Sequence, residues 1–98
     1  MLDHAVMKSV AEQLMSAPEV EVEGHKFRVT RIGSRRFRTV RFAVGGRQYQ
    51  AIEQNAEKAS RWAQLARQGH QVVQLRDLQT QKYVAAVVDG EVHAYGRK

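Results

Sequence analysis

Short alternating segments separated by two-residue turns are the feature that most limits how this chain can fold. The dipeptides Glu23-Gly24, Gly45-Gly46 and Asp89-Gly90 each stand between segments in which apolar and polar residues alternate. Such dipeptides favour the tight turns that join neighbouring antiparallel strands. A strand that returns directly beside its neighbour leaves no room for a crossover helix, so the pattern argues against a doubly wound parallel sheet.

Counting outward from the turns predicts the register of the first two hairpins. In the first hairpin, Val20 faces Phe27 and Glu21 faces Lys26, which gives one apolar side and one side of paired opposite charges. The second hairpin has an inner face of Val40, Phe42, Val44, Tyr49 and Ala51. Its other face is a mixed surface of Phe37, Thr39, Arg41, Ala43, Gln48, Gln50 and Ile52.

The first of two helices is expected over residues 3–17, where Val6, Val10 and Leu14 recur at helical spacing. Asp3 is a suitable N-cap residue. Pro18 disfavours helical geometry at the residue before it, so the helix should end there.

The second helix is expected over residues 56–68, with either Asn55 or Ser60 as its N-cap and Gly69 at the left-handed position that ends a helix. Trp62 lies beside small alanines, which let a helix approach a sheet closely. We therefore predict that Trp62 is a largely buried core anchor and not an exposed stacking surface.

These signals predict one α+β domain spanning residues 1–98, with two helices packed on a strongly twisted antiparallel sheet. The expected order is α-β-β-β-β-α-β-β-β, with hairpins over residues 19–53 and a three-stranded meander over residues 71–95. A barrel-like closure of the sheet is an alternative. A chain of 98 residues is long enough for one hydrophobic core and too short for two.

The sequence lacks the residues that several kinds of functional site require. The chain contains no cysteine, which excludes disulfides, thiolate catalysis and metal sites that require sulfur. The four histidines show no metal-binding spacing, and no nucleophile motif or phosphate-cradling loop is present. The expectation is a protein that is not an enzyme, with no catalytic residues, no metal site and no cofactor. Polar residues interrupt every apolar run near the N-terminus, which favours a cytoplasmic protein that does not enter a membrane.

A block of basic residues is the one feature that suggests a ligand. Between Gly24 and Ile52 the chain carries eight Lys and Arg residues and no acidic residue, whereas the whole chain has a formal net charge of +6. In the predicted register Lys26 and Arg28 face glutamates, and Arg38 faces Glu53. The freer charges are then Arg31, Arg35, Arg36, Arg41 and Arg47.

Arginine interleaved with aromatic residues is typical of surfaces that bind nucleic acid, because guanidinium groups contact phosphates and rings stack on bases. The predicted function is therefore a small basic protein that contacts RNA or single-stranded DNA. The predicted nucleic-acid-binding residues are Arg31, Arg35, Arg36, Phe37, Arg41 and Arg47. The alternative is a protein-interaction or assembly module, for which a homodimer through the first helix or an unpaired edge strand is a further expectation.

Overall fold

The secondary structure follows the turn signals closely, with one strand more than predicted. The structure, a computed structural model, describes residues 2–95. The elements of the first part are α1 (His4–Ser16), β1 (Glu19–Val22), β2 (His25–Arg28), β3 (Thr30–Ile32), β4 (Phe37–Val44) and β5 (Arg47–Glu53). Those of the second part are α2 (Arg61–Arg67), β6 (Val72–Asp77), β7 (Lys82–Val88) and β8 (Glu91–Ala94).

The strands form two antiparallel sheets. Strands β1 and β2 pair only with each other, and β3 to β8 form a six-stranded sheet in which every strand lies beside its neighbour in sequence. The first and last strands of the larger sheet do not meet, so the sheet is open and the barrel-like alternative is not supported. The α+β class with two helices and antiparallel strands is confirmed.

The predicted registers are confirmed in both hairpins. Val20 lies opposite Phe27 in the first, and Phe42 lies opposite Tyr49 in the second. The additional strand, β3, pairs with the start of β4. It forms because the chain leaves the small sheet after Arg28 and returns antiparallel to β4 through a turn at residues 33–36.

Helix α1 covers one face of the six-stranded sheet. Asp3 caps its N-terminus by accepting a hydrogen bond from the Val6 N–H at 2.9 Å, and the helix ends two residues before Pro18, as predicted. Its apolar stripe is buried against the sheet and the β1–β2 hairpin. The core includes Met7, Val10, Leu14, Val20, Val40, Phe42, Tyr49, Leu75, Ala85 and Val87. The apolar stripe of α1 is thus used inside the fold, and a homodimer through α1 stays a prediction.

Helix α2 is shorter than predicted and lies near the other face of the sheet. It begins after Ser60, whose hydroxyl accepts from the Ala63 N–H at 3.1 Å, and residues 54–60 form a loop. Trp62 keeps a minor part of its surface exposed and packs beside His93 and Tyr95 at ring-centroid distances of 5.5 and 6.3 Å, which agrees with the expectation of a largely buried indole. Neither helix of the described chain has the length and apolar character needed to cross a bilayer.

Candidate nucleic-acid interface

The face of the six-stranded sheet that α1 does not cover is the candidate site, and we call it the open face. One row of residues crosses it in register: Arg41 pairs with Gln50, Gln50 with Arg76, and Arg76 with Tyr83. Residues paired in this way point to the same side of a sheet. Strands β3 to β7 also place these residues on it: Thr30, Ile32, Phe37, Thr39, Ala43, Gln48, Ile52, Val72, Gln74, Ala86 and Val88.

The open face combines cations and rings with few opposing charges. Among the described residues, β3 to β7 place no aspartate or glutamate on it, and Glu91 of β8 lies at its far end. Ile32 and Tyr83 are large and well exposed, at 41% and 47% of their accessible surface. A contiguous set of exposed apolar side chains rimmed by polar groups is typical of a binding surface.

The structure divides the predicted site residues between two faces and a turn. Phe37 and Arg41 belong to the open face. Arg31 pairs with Arg38 on the opposite side, near the end of α1, and Arg47 also lies on the α1 side. Arg35 and Arg36 occupy the turn between β3 and β4. The six residues therefore do not form one patch.

Two of the supposedly free arginines are paired. Arg35 forms an ion pair with Glu57, and Arg47 Nε lies 2.7 Å from Asp77 Oδ2, so the expectation that these two are among the freer charges is wrong. Arg31 donates to the backbone carbonyl of Arg36 at 3.1 Å. Within the part of the chain that the structure describes, Arg36 and Arg41 form no ion pair.

The Arg47–Asp77 pair stabilises the turn that follows β6. Burial alone would raise the pKa of the Asp77 carboxyl, but the hydrogen bond from Arg47 and backbone donation from Gln79 and Thr80 outweigh it, so the pKa is lowered. The side chain of Asp77 is only 9% exposed. Arg47 is thus committed to the fold and is a poor candidate for a phosphate contact.

Arg76 and Tyr83 are candidate residues that the sequence reasoning missed. The Arg76 guanidinium lies over the Tyr83 ring, with 5.7 Å to the centroid, and its Nη2 donates to Gln81 Oε1. Its buried Nε has no hydrogen-bond partner, which carries a desolvation cost. The available signal was the alternation of residues 72–77 combined with the register of β5, because both are needed to bring Arg76 into one row with Arg41, with Gln50 between them.

Two buried polar side chains of the open face form a small hydrogen-bonded network. Thr39 and Gln50 are buried there, at 3% and 9% exposure. Gln50 Nε2 donates to Thr39 Oγ1 at 2.9 Å, and that hydroxyl donates to the Ala51 carbonyl at 2.9 Å. Buried polar groups that are hydrogen-bonded fix side-chain positions. This network therefore fixes the sheet surface between Arg41 and Arg76.

A cavity of about 250 Å³ opens on the same face beside this row. Its apolar wall consists of Ile32, Phe37 and Ile52, with Tyr83 at its margin. The remaining lining comes from Gln74, from Glu53 at the end of β5, and from the β5–α2 loop, including Gln54, Asn55 and Lys58. The Glu53 carboxylate accepts from the Arg38 backbone N–H at 3.0 Å and lies 3.7 Å from Arg38 Nη1.

The histidines do not assemble into a reactive centre. His70 Nδ1 lies 2.6 Å from Asp89 Oδ2, and His93 Nε2 lies 3.8 Å from Glu91 Oε1. No group of three or more side chains suited to holding a metal occurs within residues 2–95. Each of these pairs is local to the β7–β8 hairpin and the segment that packs beside it.

No protein-family model matches this chain, and neither a curated protein nor a solved structure is significantly similar to it.

Proposed function

We propose that this chain is a non-enzymatic protein that binds single-stranded nucleic acid on the open face. The observation that carries the proposal is the row of Arg41, Gln50, Arg76 and Tyr83. Phe37 lies on the same face, and the described residues of β3 to β7 place no aspartate or glutamate there. The interface differs from the one expected from sequence. It keeps Phe37 and Arg41, adds Arg76 and Tyr83, and leaves out Arg31 and Arg47.

The chemistry of the open face fits a single strand better than a duplex. Guanidinium groups contact phosphate oxygens through paired hydrogen bonds, and aromatic rings stack on bases of any identity. In a duplex the base faces are already stacked on each other, so Phe37 and Tyr83 would find no partner. The five strands from β3 to β7 span about 19 Å, which is wide enough to contact several nucleotides at once.

The turn residues extend the cationic surface at one end of the open face. Arg36 is exposed and forms no ion pair with any described residue. Arg35 lies beside it and is paired with Glu57 through two well-exposed side chains. An exposed pair of this kind contributes little to stability, so a phosphate can compete for Arg35 at small cost.

A salt titration of binding tests the proposal. Labelled single-stranded RNA, single-stranded DNA and duplex DNA of equal length are titrated with the protein from about 50 to 200 mM salt. We expect affinity for the single strands to fall with salt, by about 0.7 log units per log unit of salt for each phosphate contact. Replacing Arg41 and Arg76 together by Gln should flatten that slope by about 1.4.

The matched control is the double variant Lys26→Gln with Arg28→Gln. These two cations lie on β2, in the small sheet, and face Glu21 and Glu19 across the hairpin. The control removes the same formal charge from outside the open face, so it should change the slope much less. Equal effects of the two double variants would mean that binding follows net charge and not this surface.

The exposure of Ile32 and Tyr83 also favours a second candidate, a protein-interaction or assembly module that uses the same face. Failure of the wild-type protein to bind any of the three nucleic acids at about 50 mM salt would overturn the first proposal in favour of this one. Self-association is a related proposal, with the edge strands β3 and β8 as its available pairing sites. Sedimentation as a monomer at high micromolar concentration would refute it.

A further inference from the structure

The cavity beside the Arg41–Tyr83 row has the size and lining of a site for one flat, polar-edged group. Its volume is about 250 Å³, below the roughly 300–1,000 Å³ of pockets that enclose whole drug-sized ligands. Phe37, Ile32 and Ile52 form an apolar wall, and the amides of Gln54 and Gln74 lie on the remaining lining. A nucleobase has this combination, with two apolar faces and an edge of donors and acceptors.

A chain of hydrogen bonds orients both amides. Tyr95 donates its hydroxyl proton to Gln74 Oε1 at 2.7 Å, and Gln74 Nε2 donates to Gln54 Oε1 at 2.9 Å. Gln54 Nε2 in turn donates to the Asn55 carbonyl at 3.0 Å. Each amide nitrogen has two donor hydrogens and each oxygen has two acceptor sites. Gln54 and Gln74 therefore each keep one donor and one acceptor for a ligand.

The loop that completes the cavity is also held in place by hydrogen bonds. Asn55 Oδ1 accepts from the Glu57 N–H at 2.8 Å, which forms a local turn. Arg67, in the last turn of α2, donates to the carbonyls of Ala56 and Lys58. Because the loop is fixed before a ligand arrives, binding does not carry the full cost of ordering it.

We infer that this cavity binds one base of the single strand, with its face against Phe37 and Ile52 and its edge toward Gln54 and Gln74. The inference rests on the proposed function and adds base recognition to it. Lys58 on the cavity lining and Arg36 in the nearby β3–β4 turn supply cations for the adjoining phosphates. A side-chain amide that offers a donor and an acceptor can pair with the edge of a base, so the cavity gives the protein a base preference.

The first test compares an intact oligonucleotide with an abasic one of the same length and charge, and it uses the wild-type protein. We expect the intact strand to bind between about 5- and 150-fold more tightly, since a base contact of this kind is worth ~1–3 kcal/mol. Equal affinity for both strands would overturn the base site and the stacking role of Phe37 and Tyr83, and would leave only the phosphate contacts of the proposed function standing. Absence of binding to either strand would overturn the base site and the proposed function.

The second test uses the double variant Gln54→Leu with Gln74→Leu, which keeps side-chain volume but removes the edge partners. Affinities are measured for homopolymers of each of the four bases and for the abasic strand. We expect the variant to lose the differences among homopolymers and to bind the abasic strand as the wild type does. The control, Gln68→Leu with Gln79→Leu, changes two exposed amides that lie outside the cavity and outside the strands of the open face. An unchanged order of base preference in the Gln54 and Gln74 variant would contradict the inference.

Discussion

The two faces of the six-stranded sheet are made by alternate residues of the same strands, yet they differ in what covers them. On one face, Leu75 and its neighbours pack against α1 and the β1–β2 hairpin and are fully buried. Arg76, the next residue of β6, lies on the open face. It pairs with Tyr83, which is 47% exposed. Helix α2 packs near β6 and leaves the β3–β5 side of this face uncovered.

Because of this difference, we expect the α1 face to determine the stability of the fold and the open face to determine ligand binding. The α1 face gains free energy by removing apolar surface from water, and alteration of a side chain there leaves a cavity. On the open face, Val72 and Ala86 are buried where α2 packs near β6. Ile32, Arg41 and Tyr83 stay exposed and gain little from burial. These exposed residues are thus available to a ligand, and substitutions there should change binding more than folding.

The largest expected effect is on the α1 face. Leu75 is fully buried, so Leu75→Ala should lower the free energy of unfolding by about 2–5 kcal/mol. The control is Gln48→Ala, an exposed position on the open face, which should cost under about 0.5 kcal/mol. Urea unfolding of both variants measures the comparison. Similar losses from the two substitutions would show that the faces do not differ in this way.

A smaller effect is expected at Trp62, where α2 meets the open face. Because the indole packs against His93 and Tyr95 but keeps a minor part of its surface exposed, Trp62→Ala should cost about 2 kcal/mol, less than truncation of a fully buried ring. Arg61, which lies over the indole at 5.3 Å, provides the control, and Arg61→Ala should cost under about 0.5 kcal/mol. A loss at Trp62 as large as that at Leu75 would mean that α2 completes a second core.

The pairing of the hairpin strands could be predicted from the sequence because it depends on short segments next to each turn. Two-residue turns fix the pairing of the residues beside them, so the opposition of Phe42 to Tyr49 could be counted directly. Strand β3 was missed because it has only three residues, all exposed, and no apolar alternation marks it. The start of α2 was placed too early because both Asn55 and Ser60 are suitable caps, and Asn55 caps a turn of the loop instead.

The candidate site was predicted only in part because its ion pairs join distant parts of the chain. Arg47 meets Asp77, which is 30 positions away, and no local pattern pairs them. The dense arginine block also suggested one patch, although alternation sends Arg31 and Arg41 to opposite faces. Arg76 was missed because its place in the same row as Arg41 depends on the pairing of β5 with β6, two strands that are separated in sequence by a loop and a helix.

Disruption of the Arg47–Asp77 pair should lower the free energy of unfolding by an intermediate amount that depends on pH. The folded pKa of Asp77 is lowered, so the pair stabilises the fold above the unfolded pKa of about 3.9, and this stability is lost as pH falls through the folded pKa. Asp77→Asn should cost about 1 kcal/mol at pH 7, because Arg47 is 43% exposed and solvent screens the pair.

Urea unfolding between pH 3 and pH 7 measures this prediction. The stability difference between wild type and Asp77→Asn should shrink toward the acid end of the range. Glu57→Gln is the control, since it breaks the exposed pair with Arg35 and should cost under about 0.5 kcal/mol at any pH. A difference at Asp77 that stays constant with pH would mean that the charge of the carboxylate is not what stabilises this turn.

The smallest effect on folding, and the one that most sharply separates the two faces, is expected at Tyr83. Its ring is 47% exposed and contacts the Arg76 guanidinium, so Tyr83→Ala should change the free energy of unfolding by under about 0.5 kcal/mol. The same substitution should weaken binding of a single strand between about 5- and 150-fold, because stacking on one ring contributes ~1–3 kcal/mol. Tyr83→Phe keeps the ring and should bind as the wild type does. Loss of binding in both variants would assign the effect to the hydroxyl, and a loss of stability without loss of binding would place Tyr83 with the core.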